Sequence, residues 1–144
     1  MRSRLEIVLL LSGLLCAEAL SPRPVLAQAC EDEGSMVESY RKDLSELVVT
    51  TRKESLEQFE KAFHQKTCLT KLSLCLSMVN ELISCLDKAA QDSTATKAQT
   101  DAYKAKREPY ANFKDTITED RKLLKAAETP KDAKSLIQKF DLSK

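Results

Sequence analysis

The side chains best suited to covalent or metal chemistry are five cysteines and a single histidine, His64. Cys16 falls in an N-terminal leader, so the mature chain keeps Cys30, Cys68, Cys75 and Cys85. An even count in an exported chain reads as disulfides, and four cysteines allow three pairings. Helical geometry prunes them. If 68–85 is all helix, Cys68 and Cys75 stand about 10 Å apart, Cys75 and Cys85 about 15 Å, and Cys68 and Cys85 about 25 Å. A bridge needs Cα atoms within roughly 7 Å. Cys30 then bridges one of the three, and two thiols stay free or pair between chains. Antiparallel helices turning near residue 65 bring Cys85 closest to Cys30, so Cys30–Cys85 is the first expectation. A two-bridge alternative adds Cys68–Cys75. It requires Cys68 to sit in a non-helical turn with Thr70 as the later cap. The plain alternative for Cys68 and Cys75 is core packing, because free cysteine behaves as a small buried hydrophobe.

Two other chemistries use His64. A zinc set of His64, Cys68, Cys75 and Cys85 lacks any C-x-x-C, and an exported chain favours oxidation over metal thiolates. No metal or cofactor is therefore expected. His64 and Cys68 at i, i+4 can touch, but a thiol enzyme needs more than that pair. There is no H-E-x-x-H, phosphate-binding glycine loop or G-x-S-x-G. Carboxylate neighbours such as Glu57 with Glu60, and Glu119 with Asp120, are what a charged helical face produces by chance. Lys104, Lys106 and Arg107 read as a solvated face. No catalytic residue is expected.

The element that must position these groups is Thr67–Gln91, which carries three of the cysteines. Leu69, Leu72, Leu76, Val79, Ile83, Leu86 and Ala90 recur in three–four alternation, a helical seam. Leu74, Met78 and Cys85 form a second strip around the axis. A helix this widely apolar is expected to have partners on more than one side. Leu72, Leu76, Met78, Val79, Ile83 and Leu86 are the candidate core, or the candidate lining of a cavity for an apolar ligand.

Upstream, Ser35 with Glu38 reads as a capping box opening a helix over Met36–His64. Its apolar marks are Val37, Tyr40, Leu44, Leu47, Val48, Thr51, Phe59, Ala62 and Phe63, and their density falls between Arg52 and Gln58. Gly34 is expected to let the acidic segment Cys30–Ser35 fold back. The first turn is placed at Gln65–Thr67, with one continuous helix over 36–90 as the alternative. Downstream, Asp92–Thr94 reads as loop and cap before a third helix. Tyr103, Tyr110, Ile117 and Leu124 hold a seven-residue register across Pro109, which predicts a kinked helix in preference to two helices end to end. Thr129-Pro130-Lys131-Asp132 is a helix start signal. The short helix it opens, about 131–141, presents Ala133, Leu136, Ile137 and Phe140.

Residues 1–29 read as a signal peptide: Arg2 and Arg4, an apolar run over Ile7–Ala17, then Pro22, Pro24 and Ala27-Gln28-Ala29 at the cleavage position. An earlier site at Ala17-Glu18-Ala19 is the alternative. The run is too short to span a bilayer, so no transmembrane segment is expected after cleavage. Aromatics are 5% of the chain, Gly and Pro number two and four, and charged residues are 31%, a composition that suits helices and starves sheets. From Cys30 onward the basic and acidic side chains balance at twenty each, which argues against a nucleic-acid partner.

These readings define an all-α protein, a small antiparallel bundle of three long helices and a short C-terminal one over 30–144. The expected function is a secreted, non-enzymatic protein that binds a protein partner through a helical surface. A carrier of a lipid-like ligand and a self-associating coiled-coil homo-oligomer are the alternatives.

Overall fold

The computed structural model describes residues 25–143, and the side chains of residues 30–143. Within them the chain forms five helices and no strand: α1 (Val25–Lys53), α2 (Leu56–Lys61), α3 (His64–Gln91), α4 (Lys97–Ala126) and α5 (Pro130–Ile137). Three are long, as expected. The signal-peptide reading falls on residues 1–24, outside the described residues, and on the first turn of α1.

Contacts between helices define an antiparallel arrangement. Cys30 near the start of α1 is bonded to Cys85 near the end of α3, and Lys71 Nζ, earlier in α3, reaches Asp43 Oδ2, later in α1, at 2.9 Å. The same reversal relates α3 to α4: Arg107 Nε donates to Asp87 at 2.7 Å, Arg121 Nε to Ser73 Oγ at 2.8 Å, and Gln65 Nε2 to the Leu124 carbonyl at 3.3 Å. Arg41 on α1 lays its guanidinium 4.1 Å from the centre of the Phe113 ring on α4, a cation–π contact. Helix α3 thus packs against α1 on one side and α4 on the other. By length and composition α3 also resembles a membrane-spanning helix, and 39% of its apolar stretch is buried inside the fold.

The seam of α3 is rotated from the one expected. Its most buried line is Cys68, Leu72, Cys75, Val79, Leu82, Leu86 and Ala89, while Leu69, Leu76 and Ala90 lie half-buried beside it. Both lines share Leu72, Val79 and Leu86. The cysteines and Leu82 take the deepest places because two flanking helices, not one, set the centre of the buried arc. Leu74, assigned to a second buried strip, is 47% exposed.

Four boundaries depart from the sequence reading. Helix α1 starts at Val25 and runs through Gly34 and Ser35. Cys30, Val37, Leu44 and Thr51, seven apart, are all buried on it, so one apolar line holds the acidic segment in helix and no fold-back occurs. Ser35 caps nothing; its hydroxyl donates to the Glu31 carbonyl one turn back. Helix α1 ends at Lys53, not near residue 64. Ser55 opens α2 with a full capping box: Gln58 N donates to Ser55 Oγ at 3.2 Å and Ser55 N to Gln58 Oε1 at 2.8 Å. The turn expected at 65–67 lies at Ala62–Phe63, where Phe63 adopts a left-handed backbone (φ 52°, ψ 36°). Lastly, α5 stops at Ile137, and Phe140 and Leu142 bury themselves from a non-helical tail.

The downstream reading is closer. Helix α4 is continuous through Pro109, opened by a Thr96–Gln99 capping box. Pro109 has no N–H for the Ala105 carbonyl, and Ala105 faces solvent. Phe113, Ile117 and Leu124 are buried, and Tyr103 and Tyr110 pack against the core they form.

Candidate functional site

The sulfur chemistry resolves into one bridge and two buried thiols. Cys30 and Cys85 are disulfide-bonded with Cα atoms 5.7 Å apart, the pairing expected first. Cys68 and Cys75 are free and buried within α3. Because Cys68 is helical, the Cys68–Cys75 bridge does not form. Burial, with Asp120 nearby, pushes the Cys68 thiol up to about 12, and burial pushes the Cys75 thiol up to about 11. Both stay protonated at neutral pH, the reverse of what a nucleophilic cysteine requires.

His64 is turned to other work. Its Nε2 lies 2.8 Å from Glu54 Oε2, and its ring stands 5.8 Å from that of Phe59. This pair closes the α1–α2 break onto the start of α3. The set His64, Cys68, Cys75 and Cys85 is not brought together. The potential ligands that do converge are Cys30, Glu33 and Cys85, but two of these sulfurs are consumed by their mutual bond. Glu33 is left beside it, its carboxyl raised by burial and by Glu81.

The residues expected to form the core or line a ligand cavity all lie in the core cluster or against it. Leu72, Val79, Ile83 and Leu86 are buried, and Leu76 and Met78 pack against them from its edge.

A surface feature that the sequence reading missed lies at the α2–α3 corner. Phe59 is buried, but Phe63, taken as another core position of one long helix, is 71% exposed. It forms one wall of a cavity of about 330 Å³ that Phe59, Leu69 and Pro130 also line, with Glu60 and Lys66 at its edge. Three elements build it: α2 ends there, α3 begins there, and Pro130 opens α5. The left-handed backbone of Phe63 aims the chain around the corner. For a residue other than glycine that conformation costs roughly 1–2 kcal/mol. S-L-E-Q at Ser55–Gln58 is a helix start signal that marks the break before α2, and no comparable side-chain cap marks the turn at Phe63.

No known protein family, curated protein or solved structure matches this chain.

Proposed function

We propose that this chain is an exported, non-enzymatic helical protein that binds a protein partner, and that the α2–α3 corner is the binding surface. One observation carries the reading: an aromatic side chain, 71% exposed, is held in an unfavourable left-handed turn beside an apolar cavity. Strained backbone tends to be kept where a clamp or a contact uses it, and a large aromatic over a pocket is the anchor type that dominates protein interfaces. Export agrees with the Cys30–Cys85 bond, because disulfides persist in oxidising compartments.

The test uses tagged full-length chain expressed in its source and recovered from the medium with its cross-linked partners. Phe63→Gly is the informative variant, since glycine accepts the turn and removes the ring. Recovery of the partner should fall about 30-fold, the loss of a contact worth ~2 kcal/mol. Equal recovery with Phe63→Gly, or retention of the chain inside the cell, removes the reading.

A further inference from the structure

The geometry points to a second copy of this chain as the occupant of the α2–α3 corner: a two-fold dimer in which Phe63 of each molecule enters the cavity beside Phe63 of the other. The inference rests on the corner being a protein-binding surface and names what binds there.

Three observations carry it. The first is that projection and recess lie on one patch. Phe63 stands out from the turn and is also one wall of the cavity, which Phe59, Leu69 and Pro130 line with it. A two-fold interface requires a surface complementary to itself, and a projecting ring with an adjoining recess satisfies that. The recess is large enough: a cavity of roughly 150 Å³ takes up a benzene ring, and this one measures about 330 Å³. The second is charge. Glu60 and Lys66, of opposite sign, border the same recess, so two copies facing each other can set the carboxylate of each against the ammonium of the other. The third is the charge balance, a formal net of +1 over the whole chain. With acidic and basic side chains so nearly equal in number, two copies approach with little long-range repulsion.

With eight lining residues against about 20–30 a side in a standard interface, the patch supports a weak dimer. Sedimentation of the purified full chain from about 10 µM to about 1 mM should show monomer passing to dimer. Phe63→Gly should raise the dissociation constant at least tenfold with the helical circular dichroism unchanged. Lys66→Glu alone should also weaken the dimer, and Lys66→Glu combined with Glu60→Lys should restore it. Monomer throughout the range overturns the inference, as does a dimer indifferent to Phe63→Gly or to the charge exchange. A chain that captures a different protein through Phe63 yet sediments as a monomer sinks the dimer and leaves the binding surface standing. Loss of both behaviours sinks both.

Discussion

Burial raises the Asp120 carboxyl to about 6, with Glu119 and Asp141 adding to the effect. Its Oδ2 is buried with no hydrogen-bond partner, so the ionised form gives up water and gains nothing back. The folded protein therefore holds this proton more tightly than the unfolded chain. The stability it contributes is complete below about pH 3.8 and is lost as pH rises through about 6. Asp120→Asn removes that dependence. At pH 7 the variant should be more stable than the parent by about 1 kcal/mol, the partial exposure of the group reducing the effect. At pH 4 the difference should vanish. Urea titrations at the two pH values check this, and an equal gain at both would contradict it. Nothing in the primary sequence marks Asp120 out from its neighbour Glu119; only the packing of α4 and the C-terminal tail does.

Among the elements, the same short signature, serine with Glu or Gln three residues on, occurs at Ser35–Glu38 and at Ser55–Gln58, and it acts as a cap only at the second. At Ser35 the buried line from Cys30 to Thr51 keeps the backbone helical on both sides. At Ser55 no buried line continues, since α2 turns away to place Phe59 inside. Ser55→Ala should cost about 1 kcal/mol. Ser35→Ala should cost nothing and gain up to ~0.5 kcal/mol from helix propensity. Thermal melts of the two variants separate the roles, and equal losses would contradict the assignment. Gly34 supplies a second check on α1. A Cβ there meets nothing within 4 Å and the residue is helical, so Gly34→Ala should stabilise by about 0.5–1 kcal/mol. Destabilisation would mean that Gly34 leaves the helix, as the fold-back reading held.

At the scale of the molecule, α3 is the middle element and α1 and α4 are its two flanks, with the disulfide clamping one end of the α1–α3 pair. The bond closes a loop with a sequence separation of 55. In the chain-entropy view a loop of this size contributes about 4 kcal/mol, by restricting the unfolded chain. A Cys30→Ser, Cys85→Ser double variant should lose about that much in chemical denaturation while keeping its helical spectrum, because Cys68, Cys75 and the leucines still fill the core. A loss under ~1 kcal/mol would show that the unfolded chain is already compact at this contact.

The sequence alone determined the helical class, three long elements, the register across Pro109, the start of α5 and the Cys30–Cys85 pairing. The helical elements follow from periodicity and capping chemistry, which are local; the rise of a helix excludes pairing among Cys68, Cys75 and Cys85, and choosing Cys85 for Cys30 needed the antiparallel reversal as well. Tertiary structure decided which arc of α3 lies deepest, where the first helix breaks, that Ser35 sits mid-helix, and that Phe63 faces water while Phe59 does not. These depend on how many neighbours surround a helix and on where the chain must turn to reach them. A residue's own spacing cannot report that, because spacings of three and four describe an apolar face equally well whether one helix covers it or two.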